Sequence, residues 1–133
     1  MSDVRPVKLL DWDALSDRQP AYALVGNVDL VVIRYDDQVS VLYGRCLHRG
    51  ALMSDGHIQG DDLICGVHGW DYRYTTGVSA YNNKEVLPKF RAWLEDGGVW
   101  VDANEIAAFE QEHPQPFNRG EYLGLYADTH PEP

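Results

Sequence analysis

Two short segments of the chain each combine one cysteine with one histidine. The first is Cys46-Leu47-His48, and the second, 16 residues further on, is Cys65-Gly66-Val67-His68. Thiolates and neutral imidazoles are both ligands of transition metals. If the fold holds the two segments side by side, they offer four metal ligands of two kinds.

Several kinds of site are compatible with these four residues alone. A tetrahedral zinc site accepts two cysteines and two histidines, although zinc modules usually pair like ligands within one segment. A disulfide between Cys46 and Cys65 leaves both histidines without a role and is more typical of secreted chains. Buried thiols beside hydrogen-bonded core histidines do not explain why the Cys/His pair occurs twice. A binuclear iron–sulfur site is the fourth possibility.

The segment that carries these residues has no regular periodicity. Residues 44–81 contain both cysteines and seven of the twelve glycines, and they show neither a helical nor a strand period. Such a segment needs flanking structure, or a bound group, to hold it in place. His57 lies between the two Cys/His pairs and is expected on the surface.

Short β-strands are predicted on both sides of the glycine-rich segment. Apolar and β-branched residues mark them, and turn residues at 36–38 and 96–98 separate neighbouring strands. Pro88 has no amide hydrogen to donate, so the strand that contains it is expected at a sheet edge there. The predicted strands are residues 22–25, 30–35, 39–43, 86–95 and 99–101.

Two elements carry more detailed expectations. Val39, Val41 and Tyr43 share one face, which is typical of a half-buried strand. Residues 102–112 fit one short helix, with Asp102 and Glu105 at the spacing of a capping box. A helix of this length is marginal alone and must dock on the sheets.

The sequence around the two Cys/His pairs resembles the Rieske family. That family has Cys-x-His, a spacer of about this length, and then Cys-x-x-His. Gly66 departs from many relatives, which carry proline at that position. The resemblance covers about residues 7–105 and rests on these segments: Cys46-Leu47-His48-Arg49-Gly50-Ala51-Leu52, Ser54-Asp55-Gly56 and Ile64-Cys65-Gly66-Val67-His68-Gly69-Trp70-Asp71-Tyr72.

The resemblance implies a fold, a cofactor and a ligand set. The fold is all-β, an antiparallel β-sandwich with an inserted cluster-binding lobe at about residues 44–81 and a short C-terminal helix. The domain is expected to span residues 1–112, followed by an extended tail at 113–133. The cofactor is a [2Fe–2S] cluster, with Cys46 and Cys65 on one iron and His48 and His68 on the other.

A Rieske-type ferredoxin carries single electrons, so the resemblance implies delivery from a reductase to a partner oxidoreductase such as a ring-hydroxylating oxygenase. The alternative is an electron-relay module of a larger FMN-binding, glutamate synthase-like oxidoreductase, which residues 121–128 resemble. A redox sensor is a third possibility. The chain is not expected to be an enzyme by itself, because it has no nucleotide-binding motif and no room for a mononuclear iron domain.

Charge and hydropathy restrict the expected partners. The formal net charge is −10 and the sequence pI is about 4.7. An acidic surface repels phosphate backbones and anionic lipid, so neither nucleic acid nor a membrane is expected, and a basic patch on another protein is favoured. The first 15 residues do not form a signal-peptide pattern, and a cytoplasmic location is expected.

We predict a reduction potential at the low end of the Rieske range, about −150 mV. The chain lacks the third and fourth cysteines that form an additional disulfide in high-potential relatives, and Trp70 occupies the place where those relatives have a serine. Fewer hydrogen bonds to the cluster sulfurs stabilise the reduced state less. Spectroelectrochemical titration of the purified protein measures the potential, and a value above zero would contradict this prediction.

Overall fold

A computed structural model describes residues 4–45, 52–66, 71–79 and 86–113. Within these ranges the chain forms ten strands and one α-helix, arranged in three antiparallel sheets. The elements are β1 (Pro6–Asp11), β2 (Ala21–Val25), β3 (Val28–Tyr35), β4 (Gln38–Tyr43), β5 (His57–Gln59), β6 (Asp62–Ile64), β7 (Asp71–Arg73), β8 (Lys89–Phe90), β9 (Ala92–Glu95), β10 (Gly98–Asp102) and α1 (Ala103–Glu112).

The four-stranded sheet has the order β2-β3-β4-β8, and its two inner strands, β3 and β4, are largely buried on both faces. Successive side chains of a strand point to opposite faces, so β3 and β4 each contribute to two cores. Leu30 and Val41 belong to one core, whereas Val31 and Leu42 belong to the other. We call this sheet the central sheet.

The first core lies between the central sheet and the sheet β1-β10-β9. Val99 and Val101 of β10 contribute to this core, as does Ile106 of α1. Helix α1 is fixed at its other end by Phe109, which packs against Tyr43 and Phe90 with ring centroids 5.2 Å apart in both pairs. The two sheets and the helix therefore form the sandwich that the sequence predicts.

The second core joins the central sheet to the small sheet β5-β6-β7, which lies within the predicted cluster-binding lobe. Leu63 and Tyr72 of this sheet are fully buried together with Met53 and Leu87. Each pair of strands in the small sheet joins only three residues on each side. So small a sheet depends on packing against the central sheet, because a short hairpin alone is marginally stable in water.

The all-β architecture with a short C-terminal helix is confirmed, but several details differ from the expectation. Strand β1 was not predicted, and the small sheet β5-β6-β7 lies in a segment that shows no strand period. Residues 86–95 do not form one strand. They form β8 at the edge of the central sheet and β9 in the neighbouring sheet, separated at Arg91. Pro88 lies next to the edge strand, as predicted, and its carbonyl accepts a hydrogen bond from the Tyr43 amide at 2.8 Å.

The prediction that strand 39–43 is half-buried was wrong. Ser40, Val41 and Leu42 are all fully buried. The alternating pattern does predict correctly that Val41 and Leu42 lie on opposite faces of the strand, since these residues belong to different cores. The pattern of a single strand does not show that a second layer covers the opposite face.

The predicted capping box forms only in part. The Asp102 side chain accepts hydrogen bonds from the Arg5 amide at 3.0 Å and the Asn104 amide at 2.9 Å, and these amides hold its pKa below the usual value. The Glu105 side chain instead accepts from the Arg91 amide at 3.0 Å. Among the described residues, no helix is both long and apolar enough to span a bilayer.

Candidate metal centre

One of the four predicted ligands lies within the described residues. Cys65 directly follows β6, and only 1% of its surface is exposed. It belongs to the buried cluster that includes Met53, Leu63 and Tyr72. Cys46, His48 and His68 lie outside the described residues. The lobe therefore supplies one thiol whose surroundings exclude water.

The segment that contains Cys65 and His68 begins and ends at two paired residues. Ile64 of β6 pairs with Asp71 of β7, so residues 65–70 connect the ends of an antiparallel ladder. We call residues 65–70 the second ligand loop. The short ladder determines where this loop leaves the small sheet and where it returns.

The segment that contains Cys46 and His48 has an equivalent base. Arg45 and Leu52 form an antiparallel bridge, and the Met53 amide donates a hydrogen bond to the Gly44 carbonyl at 2.7 Å. Residues 46–51, which we call the first ligand loop, connect Arg45 to Leu52. Because Gly44 directly follows β4, the central sheet holds the base of this loop.

Two glycines allow the two bases to lie against each other. A Cβ atom on Gly56 would overlap the carbonyl oxygen of Ile64, the residue before Cys65. A Cβ atom on Gly66 would lie 3.0 Å from the carbonyl oxygen of Asp55, which is closer than ordinary contacts. The chain just after the first ligand loop therefore packs directly on the start of the second.

Paired residues also flank a third segment, residues 79–85. Val78 and Val86 form an antiparallel bridge, and the Leu87 amide donates to the Gly77 carbonyl at 2.7 Å. Gly77 has a φ of +85°, a conformation that other residues rarely adopt. The buried hydroxyl of Ser79 lies 3.3 Å from a carboxylate oxygen of Asp71 at the base of the second loop.

A buried ion pair at the base of the first ligand loop was not predicted from the sequence. The Arg45 Nε atom donates to Asp29 Oδ2 at 2.6 Å, and the Tyr22 hydroxyl donates to Asp29 Oδ1 at 2.5 Å. A carboxylate within the apolar strand Val28–Tyr35 was the available signal, because charges are rarely buried unless they are paired. The predicted strand began at residue 30 and therefore did not include Asp29.

Comparison with known proteins identifies the family. The family model described as the Rieske [2Fe–2S] domain matches residues 5–91. The chain belongs to this family. The match includes both ligand loops and the central sheet, and it confirms the family and the class of cofactor expected from the sequence.

The chain spans different shares of the length of two curated relatives. It is 41% identical over 98 residues to methylxanthine N1-demethylase NdmA of Pseudomonas putida, covering 62% of the chain but only 28% of that enzyme. It is 33% identical over 93 residues to ferredoxin CarAc of Metapseudomonas resinovorans, covering 66% of the chain and 87% of that protein. It thus corresponds to nearly all of a small ferredoxin and to a minor part of a large enzyme.

Solved structures of Rieske ferredoxins have the same fold. The ferredoxin of Sphingomonas yanoikuyae B1 is 25% identical, with a TM-score of 0.67 over 74% of this chain and 98% of that one. A ferredoxin in a complex with the oxygenase of carbazole 1,9a-dioxygenase is 27% identical, with a TM-score of 0.66 over 74% of this chain and 93% of that one.

The described residues fit a [2Fe–2S] cluster. The ligands of such a cluster must be brought close together, and an apolar surrounding limits the access of solvent to it. Cys65 is buried at the end of β6, and the contacts of Gly56 and Gly66 bring the loop bases together without an intervening side chain. The donor set predicted from the sequence, two thiolates and two imidazoles, suits iron of this class.

We expect Gly56→Ala to lower the iron and sulfide content of the purified protein. The added methyl group overlaps the Ile64 carbonyl, so the bases of the ligand loops must separate. Gly60→Asn is the matched control in the same lobe, because nothing lies within 4 Å of a Cβ there and asparagine tolerates its φ of +63°. Iron and acid-labile sulfide are measured per protein chain. Equal cluster content in the two variants would contradict the role assigned to Gly56.

Proposed function

We propose that this Rieske protein is a one-electron carrier that binds its [2Fe–2S] cluster through Cys46, His48, Cys65 and His68. It receives electrons from a reductase and delivers them to a partner oxidoreductase, of which a ring-hydroxylating oxygenase is the favoured class. The packing of the two ligand-loop bases at Gly56 and Gly66, beside buried Cys65, is the observation that carries this proposal.

The lengths of the relatives favour a carrier over a complete oxygenase. The chain spans 87% of one ferredoxin and 98% of another, so it corresponds to proteins that contain little besides the Rieske domain. A ferredoxin with this fold has been solved in a complex with an oxygenase. These likenesses support an oxygenase as the partner of the present chain.

The protein's own residues hold and shield the redox centre. When bound, a [2Fe–2S] cluster accepts one electron and releases it again. Cys65 lies against the apolar side chains of Met53, Leu63 and Tyr72, which keep water away from the thiolate side. Two neutral imidazoles in place of two thiolates make the site less negative, so that adding an electron costs less than in an all-cysteine cluster.

The charge of the chain favours a basic partner surface. A net charge of −10 on 133 residues produces a negative field that speeds encounters with a positively charged partner. Such steering weakens as salt shortens the screening length. Transient docking suits a carrier, which must leave its donor in order to reach its acceptor.

A module of a larger oxidoreductase is the second candidate. The demethylase relative favours it, because the chain corresponds to 28% of that enzyme at 41% identity. The predicted tail is residues 113–133, and all of it except His113 lies outside the described residues. Its resemblance to a linker before an FMN-binding, glutamate synthase-like domain stays a prediction, as do the domain limits.

We expect the dithionite-reduced protein to give the EPR signal of a mixed-ligand [2Fe–2S] cluster, with about two irons and two sulfides per chain. Cys46→Ala, His48→Ala, Cys65→Ala and His68→Ala should each abolish or change this signal, because each removes a proposed ligand. His57→Ala is the matched control, since His57 is exposed in the same lobe. A colourless protein that binds zinc without sulfide would contradict the assignment.

We expect electron transfer through the protein to be fast and salt-dependent. In stopped-flow experiments, a flavin reductase should reduce the protein, and the reduced protein should in turn be oxidised by a ring-hydroxylating oxygenase. The rate should fall as ionic strength rises, because opposite charges steer the encounter. A change in partner affinity on reduction, without oxidation of the carrier, would indicate a sensor instead.

A further inference from the structure

Asp29 is a buried carboxylate in the central sheet with two short hydrogen bonds. It is 1% exposed and lies on the face of β3 that also carries Val31 and Ile33, which belong to the core shared with the lobe. Its two oxygens accept from the Tyr22 hydroxyl at 2.5 Å and from Arg45 Nε at 2.6 Å. The Arg45 side chain is itself only 12% exposed.

The Asp29 backbone also binds the main chain just before Cys46. The Gly44 amide donates to the Asp29 carbonyl at 2.7 Å. A Cβ atom on Gly44 would lie 2.7 Å from the Asp29 backbone, so only glycine allows this approach. Asp29 thus contacts both residues that precede the first proposed ligand, one through its main chain and one through its side chain.

We propose that Asp29 and Arg45 are positioning residues for the cluster. The pair fixes the start of the first ligand loop, and it places two opposite charges beside the redox centre so that neither dominates its potential. This inference rests on the proposed assignment of Cys46 as a ligand. Tyr22 supports the pair by orienting the Asp29 carboxylate.

A buried ion pair of this kind is a weak source of general stability. Removing charges from water is costly, and apolar side chains of similar volume often stabilise a fold as well as a buried ion pair does. A buried ion pair instead fixes the relative orientation of its two side chains, because the guanidinium group donates hydrogen bonds at fixed angles. The start of a loop that carries a metal ligand needs such directional contacts.

The charges give the proposal a test that distinguishes it from a purely structural role. Reduction adds one negative charge to the cluster. Asp29→Asn removes one negative charge beside the Arg45 cation, which favours the reduced state and raises the potential. Adding Arg45→Gln removes that cation, so the double variant should return towards the wild-type potential. If Asp29→Asn changed the potential only by loosening the first ligand loop, the added Arg45→Gln substitution would not restore the wild-type potential.

The experiment uses the cluster-loaded, full-length protein. For each variant, the potential is measured by spectroelectrochemistry and the rate of cluster loss to an iron chelator by visible absorbance. We expect a higher potential for Asp29→Asn, reversal in the double variant, and cluster loss about tenfold faster in both. Asp37→Asn, at the exposed turn beyond the other end of β3, removes the same charge and should change both quantities much less.

Tyr22→Phe provides a milder variant if Asp29→Asn fails to fold. Tyr22 is 41% exposed, and the substitution keeps both members of the ion pair. We expect faster cluster loss with a potential close to that of the wild type, because the anchor is weakened while the charges remain.

A potential that shifts the same way in the single and double variants, or rates equal to those of Asp37→Asn, would overturn the proposal. Cluster loss unchanged in Tyr22→Phe would also overturn it. Failure of the proposed function is recognised separately. In that case the wild-type protein contains no iron and sulfide, or Cys46→Ala retains the complete cluster.

Discussion

At Gly56 the chain passes so close to the Ile64 carbonyl that no side chain fits between them. The rest of the metal centre depends on this approach, because it joins the base of one ligand loop to the base of the other. Each loop is short and glycine-containing, and neither has a periodic pattern that would order it alone. Both are instead held by paired residues at their ends, and those pairs are supported by a central sheet whose inner strands are largely buried on both faces.

The chemistry of this protein could be predicted further from the sequence than its architecture could. Two Cys/His pairs at a characteristic spacing depend only on residue type and order, so the family, the cofactor class and the all-β fold followed from local information. The strand limits followed approximately, because apolar alternation marks β2 to β4. Whether the opposite face of β4 is covered depends on a layer formed by residues far away in the chain, and no local pattern records it.

The features that could not be predicted from the sequence share one physical cause. Each of them depends on contacts with residues that are distant in the chain. Asp29 could be recognised as part of a site only once Arg45 lay beside it, and Glu105 was diverted from its own helix by the Arg91 amide. The division of residues 86–95 into two strands has the same origin. The chain leaves the central sheet after Phe90 and enters the neighbouring sheet at Ala92, and it forms an edge strand in each.

The pairing of β1 with β10 has a consequence for how the protein is made. Pro6 lies opposite Asp102, so nearly the whole described chain is enclosed between the first strand and the last. A ribosome releases the amino-terminal end first. Strand β1 therefore cannot pair with β10 while the lobe is synthesised, and the sandwich can form completely only after β10 emerges. All four predicted ligands therefore leave the ribosome before β10, and the sandwich that supports the predicted site is complete only near the end of synthesis.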